Sequence, residues 1–196
     1  MTTYKEIRGT HVKTVTSDPP APVNGQMWYN STTQVMKGFT ESPGAWATSG
    51  NMNTARYVLA GAGTQTAGLA FGGETPPHTN ATESYNGTSW TELNNLNTSR
   101  QELSGGGTQT SALAFGGRKP AIANETESWD GSSWTEVNNL NTSRRYMGGV
   151  GASNTACLCY GGPNAAPGGT QQALTESWNG SSWTEVGDLN QARGNN

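Results

Sequence analysis

Two cysteines, two histidines and three recurring glutamates are the residues whose types and spacing could do chemistry in this chain of 196 residues. Cys157 and Cys159 stand two apart, which in a strand puts both thiols on one face, where a metal or a redox couple could use them. His11 and His78 could ligate a metal only beside further ligands, and they lie far apart in the sequence. Glu83, Glu127 and Glu176 could supply the paired carboxylates of a hydrolase. A catalytic pair is singular, however, and these glutamates recur once per copy of a repeated text. They therefore read as structural Arg–Glu bonds or solvated edges. The abundant Ser and Thr have no base beside them in any recognisable motif.

The repeated text is the frame that has to position everything else. Ala70 to Gly73 followed by Thr82 to Trp90 returns as Ala114 to Gly117 with Thr126 to Trp134, and again as Cys159 to Gly162 with Thr175 to Trp183. Fixed-period self-similarity means a fold made by stacking one supersecondary unit. In that register Cys157 and Cys159 take the places of Ala112 and Ala114, and of Gly68 and Ala70, so they read as small buried apolar residues.

Each unit opens at an arginine, with Arg56, Arg100 and Arg144 spaced by 44 residues and Arg193 a further 49 on. A small-residue strand follows, then a short polar turn (Thr64-Gln65, Thr108-Gln109, Ser153-Asn154) and an apolar run ending in a glycine pair. In Ser111 to Phe115, Leu113 and Phe115 share one face while Ala112 and Ala114 share the other. One large and one small face suits a sheet packed closely on both sides. After a variable loop comes Thr-Glu-Ser-Tyr or Thr-Glu-Ser-Trp, then Asn86-Gly87, Asp130-Gly131 or Asn179-Gly180, pairs that accept the positive φ of hairpin turns. A fourth strand carries Trp90, Trp134 or Trp183. Four antiparallel strands in about 45 residues make a propeller blade.

The glycine pair, an aromatic residue and a tryptophan five residues later (Gly72-Gly73…Tyr85…Trp90, Gly116-Gly117…Trp129…Trp134, Gly161-Gly162…Trp178…Trp183) resemble the kelch repeat over Arg56 to Arg193. The resemblance implies an all-β fold of kelch-like β-propeller blades and leaves function open. Ahead of it, Trp28-Tyr29-Asn30 and Trp46, which precedes Arg56 as Trp90 precedes Arg100, read as the outer strands of one more blade, with a hairpin through Val35 to Phe39. The expected organisation is a docking arm and Pro-rich linker over 1–25, an N-terminal half-blade over 26–55, and three full repeats over 56–99, 100–143 and 144–196. A half-blade leaves strand edges uncovered, so the chain is expected to need a partner, a second copy or a neighbouring protein.

Asp18-Pro…Pro22…Gly25-Gln-Met-Trp-Tyr-Asn30…Met36-Lys-Gly-Phe39…Trp46 resembles the N-terminal segment of structural and tail-fibre proteins of marine tailed phages, where it precedes kelch-like repeats. The resemblance implies a virion component, docked to other virion proteins through its N-terminal arm and used for assembly or host attachment. Phage chains of this kind usually carry more than three repeats. The stretch Ser128 to Trp134 is similar to the Asp-box of sialidases, but the residue expected between Asp130 and Gly131 is missing and the other copies carry Asn86 and Asn179. A hairpin turn explains all three.

Composition narrows the function further. Formal net charge is −3 with charged residues at 13% and no basic stripe, so the footprint of nucleic-acid binding is missing. No apolar run approaches a membrane span, and Met1 to Thr10 has no apolar segment of a secretory signal. What varies between copies is the loop after the glycine pair: Glu74 to Ala81, Arg118 to Glu125 and Pro163 to Leu174. Variation confined to one set of loops marks a binding face, with drift in unconstrained loops as the competing explanation. The candidate binding residues are His78, Asn80, Arg118, Lys119, Asn164 and Gln171, facing a host-surface glycan or protein. No catalytic residue, metal ligand or cofactor is expected. The arginines named above, both residues of each glycine pair, and Trp90, Trp134 and Trp183 are assigned to architecture.

Overall fold

The computed structural model describes residues 12–23, 25–39, 47–164 and 170–194. His11 and Trp46 lie outside the described residues. The chain divides into two compact units, Met1–Thr48 and Ser49–Asn196. Among the described residues there is no helix, and all regular structure is β.

The first unit is a small sheet of β1 (Lys13–Val15), β2 (Met27–Asn30) and β3 (Val35–Gly38), in the order β1-β2-β3. The hairpin expected after Trp28-Tyr29-Asn30 is present, with Asn30 opposite Val35 and Met27 opposite Gly38. Its third strand departs from the sequence reading, which had assigned residues 1–25 to a separate arm. Lys13–Val15 runs parallel to β2, with Thr14 opposite Tyr29. Asp18, at the head of the proline run, fastens the return: its Oδ1 accepts from Trp28 Nε1 at 3.0 Å and Asn30 Nδ2 at 2.9 Å, and its Oδ2 pairs with Lys37 at 2.6 Å.

The second unit holds three four-stranded antiparallel sheets, each a meander in chain order. The first blade comprises β4 (Ala60–Thr64), β5 (Ala67–Phe71), β6 (Thr82–Tyr85) and β7 (Trp90–Leu93). The second comprises β8 (Ser104–Thr108), β9 (Ser111–Phe115), β10 (Thr126–Trp129) and β11 (Trp134–Val137). The third comprises β12 (Gly148–Ser153), β13 (Ala156–Tyr160), β14 (Thr175–Trp178) and β15 (Trp183–Val186). The register repeats: Phe71 faces Thr82, Phe115 faces Thr126 and Tyr160 faces Thr175. The Asn-Gly and Asp-Gly turns do what their chemistry dictates. Asn86 Oδ1, Asp130 Oδ1 and Asn179 Oδ1 each accept the backbone N–H groups of the residues two and three positions on, at 2.8–2.9 Å.

The core lies between blades rather than within one. Leu69, Phe71 and Leu96 from the first blade pack with Leu103, Ala112, Ala114, Trp129 and Trp134 from the second. Leu113, Phe115 and Leu140 from the second pack with Met147, Cys157, Cys159, Trp178 and Trp183 from the third. The large face of each sheet thus meets the small face of the next, as the alternation of Leu-Ala-Phe requires. Phe71 meets Trp134 edge-on at 4.9 Å, and Phe115 meets Trp183 at 5.0 Å.

Candidate functional site

The arginine that opens each repeat runs beneath its own sheet to the glutamate of the third strand. Arg56 lies 3.2 Å from Glu83, Arg100 3.0 Å from Glu127, and Arg144 2.7 Å from Glu176, all with buried side chains. Burial of this kind costs several kcal/mol per ion unless every remaining donor and acceptor is matched. Much of the matching comes from backbone. Arg100 Nη1 donates to the Glu125 carbonyl at 2.6 Å, and Arg144 Nη1 to the Leu174 carbonyl at 2.7 Å. Desolvation lowers the Arg100 pKa from its ordinary value, against the opposing pull of Glu127. The second carboxylate oxygen takes a backbone N–H from the preceding crossover: Asn53 at 2.7 Å, Asn97 at 2.7 Å and Asn141 at 2.8 Å. Those asparagines also donate side-chain N–H to the carbonyls of Trp90, Trp134 and Trp183. The recurring glutamates are therefore fully engaged as structural pins.

One junction contact was not read from the sequence. Trp134 Nε1 donates to Thr82 Oγ1 of the preceding blade at 3.0 Å, and Trp183 Nε1 donates to Thr126 Oγ1 at 3.0 Å. The recurrence of Thr at the start of the third strand was its only signal. The glycine pairs serve the same junction. Gly72 and Gly116 have φ of +66° and +62°, and a Cβ on either would strike the next repeat, at Leu103 Cδ2 (2.9 Å) or Met147 Cε (2.5 Å).

The candidate binding loops lie beside these junctions, and they divide into architecture and surface. Asn80 is architectural: its Nδ2 donates to the Leu96 carbonyl at 2.9 Å, as Asn124 does to Leu140 at 3.0 Å. Lys119 pairs with Glu125 at 2.5 Å. Arg118 bridges Gln101 through its backbone and holds its guanidinium 3.8 Å from Glu102, which also binds Arg145 at 2.8 Å. Buried Glu102 was missed in the sequence because no other repeat has a carboxylate at its position, where Val58 and Tyr146 stand. His78 is half-buried, bridges Glu74 through its backbone, and leaves Nδ1 without a partner. Gln171 bridges Pro163 and likewise leaves Oε1 unpaired, while Asn164 is exposed. Arg118 and Lys119 share one loop, but no hydrogen bond among the described residues joins them to His78, Asn80, Asn164 or Gln171.

The two thiols lie within the second junction. Burial raises Cys157 to about 11 and Cys159 to about 12. Both are protonated at neutral pH and pack as apolar groups. Among the described residues no group of three or more His, Cys, Asp or Glu is arranged to hold a metal ion. The accessible loop side chains, Tyr57, Arg118, Lys119 and Asn164, offer a ring face, hydrogen bonds and positive charge, a repertoire for contact with a polar surface. No family model matches the chain, and no curated protein matches it.

Proposed function

We propose that this chain is a non-enzymatic virion structural protein, a tail-fibre or appendage component used for assembly or host attachment. One observation carries the reading: the Arg–Glu pairs and crossover asparagines that recur in every blade are consumed by the fold, while the residues that vary stand on the loops after the glycine pairs. Rigid sheets that present variable loops are suited to recognising a surface. The kelch resemblance of the repeats agrees with that use. The phage-like segment Gly25 to Asn30 supplies the setting, in which the N-terminal part contacts other virion proteins and the loops meet a host glycan or protein. Capsid decoration and a binding module of a bacterial surface are the competing assignments.

Purified particles separate them. Mass spectrometry finds the protein in virions, and gold-labelled antibody places it on tail fibres or appendages if the proposal is right. A label confined to capsid faces replaces it with the decoration reading. Absence from particles overturns the virion role.

A further inference from the structure

The two junctions between blades are built from one set of contacts, and the outer face of the third blade carries half of that set unpartnered. Leu69 and Phe71 are buried by the second blade, and Leu113 and Phe115 by the third. The same positions in the third blade are Leu158 and Tyr160, and Leu158 is 38% exposed. On that face Val150 and Val186 are 54% and 43% exposed. Thr82 Oγ1 and Thr126 Oγ1 each accept an indole N–H, whereas Thr175 Oγ1 is buried without a hydrogen-bond partner in a residue only 8% exposed. Gly72 and Gly116 receive Leu103 and Met147 as well as the carbonyls of Arg100 and Arg144. Gly161 meets the Arg193 carbonyl and Leu189, with no counterpart of Leu103 or Met147, and at its neighbour Tyr160 an open cavity of about 260 Å³ is lined also by Met147, Gly148 and Arg193.

The first blade carries the complementary half. Trp90 lies 5.1 Å from Tyr85, as Trp134 lies 5.2 Å from Trp129, but the first pair is half-buried where the second is buried. Gly68 and Ala70 form the small face that Ala112 and Ala114 form in the second blade. Leu59 precedes β4 as Leu103 precedes β8 and Met147 precedes β12. Before each of these stands a residue in the left-handed region, Val58, Glu102 or Tyr146, with φ of 47°, 58° and 48°. This conformation sends the Glu102 N–H to the Val58 carbonyl at 2.9 Å and the Tyr146 N–H to the Glu102 carbonyl at 3.0 Å.

We propose that the outer face of the third blade docks the first blade of a second copy of this chain, head to tail. Trp90 Nε1 donates to Thr175 Oγ1, Leu59 enters the cavity beside Gly161, and the Val58 N–H reaches the Tyr146 carbonyl. Continuity with the two junctions already formed in the chain fixes the occupant, because each contact named is one that those junctions make. Two such contacts about a twofold axis join two sets of three blades into a ring of six, within the roughly four to eight blades of closed propellers. One segment has to yield, since residues 50–56 of the arriving copy and 188–193 of the host carry the same crossover pattern. Arg56 is buried against Glu83, whereas the Arg193 side chain is exposed and donates only to its own Gln191 carbonyl. Residues 188–193 are therefore the ones that yield, exchanging their backbone bonds (Leu189 N–H to the Ala173 carbonyl at 3.0 Å, Arg193 N–H to the Gln172 carbonyl at 3.1 Å, Gly162 N–H to the Arg193 carbonyl at 2.7 Å) for the equivalent bonds of the arriving residues 52 and 56.

This docking rests on the blade reading of the sheets and not on the virion role, so each can fail without the other. Light scattering on the full chain across a concentration series should give twice the mass of one chain. Leu158→Glu, at a position already exposed, should return the mass to one chain with the β circular-dichroism spectrum unchanged. A chain carrying both Gly68→Cys and Leu158→Cys should form a linked pair on a non-reducing gel, and neither single variant should. A monomer throughout the series overturns the proposal, as does a Leu158→Glu variant that keeps the doubled mass. Cross-linking by Leu158→Cys alone also overturns it, because two third-blade faces would then be meeting.

Discussion

The second and third blades have the same four strands and nearly the same text, yet they differ in how much of that text is buried. The second blade is covered on both faces, with Leu113, Phe115, Trp129 and Trp134 all inaccessible. The third is covered on one: Cys157, Cys159, Trp178 and Trp183 are buried, but Leu158, Val150 and Val186 are exposed. Arg144, leading out of the second blade, is fully buried, whereas Arg193, leading out of the third, is not. Stability in this unit is therefore a property of junctions, in the nearest-neighbour manner of repeat proteins.

The comparison breaks most sharply at the arginines. Arg144→Ala strands Glu176 in the core and should cost about 3–5 kcal/mol, read as a fall in the urea midpoint, while Arg193→Ala should leave the midpoint unchanged. A matching loss in both would mean that the third blade is covered after all. Next, Leu113→Ala should cost about 2–5 kcal/mol by opening a cavity between blades, and Leu158→Ala in the isolated chain should fall within about 0.5 kcal/mol of the parent. Thr126→Val leaves the Trp183 indole N–H unpaired and should cost about 1–3 kcal/mol, whereas Thr175→Val removes an oxygen with no partner and should be neutral or stabilising. Equal costs at 126 and 175 would erase the distinction between covered and open faces.

The smallest effect separates the two units by pH. Hydrogen bonds from Lys37, Asn30 and Trp28 hold the Asp18 carboxyl well below its ordinary value of 3.8. A depressed folded value contributes stability that is present above the unfolded value and is lost as pH falls through the folded one. The signals of Trp28 and Tyr29 in an NMR acid titration should hold below pH 3.8 and shift only in stronger acid. Asp18→Asn should remove that acid response without moving the signals of the blades.

Most of the blade was legible because its signals are local. The Asn-Gly and Asp-Gly turns, the alternation in Ser111 to Phe115 and the spacing of Arg100 and Arg144 each sit within a few residues of what they specify. The Arg–Glu pins were legible as a class, since a residue repeated once per blade has one recurring role. Two features lay beyond that reach. The bonds from Trp134 to Thr82 and from Trp183 to Thr126 cross 52 and 57 residues, and their energy exists only once two sheets are stacked. Strand Lys13–Val15 is three residues of weak pattern, and its partner is chosen by pairing with β2, not by its own propensity. Among the candidate binding residues, Asn80 has a structural bond that was not legible for a related reason. Its equivalence to Asn124 was visible in the aligned loops, but the Leu96 carbonyl it serves is brought to it only by the crossover.

The pair of thiols inside the second junction has a bearing on how the molecule ages. With values pushed up to about 11 and about 12 by burial, Cys157 and Cys159 carry essentially no thiolate at neutral pH. Air, peroxide and disulfide exchange all act through that thiolate, so the junction is sheltered from oxidants as long as it stays packed. Rapid labelling at these two positions would accordingly report the parting of the second and third blades, making the cysteines a built-in clock for the loss of the fold.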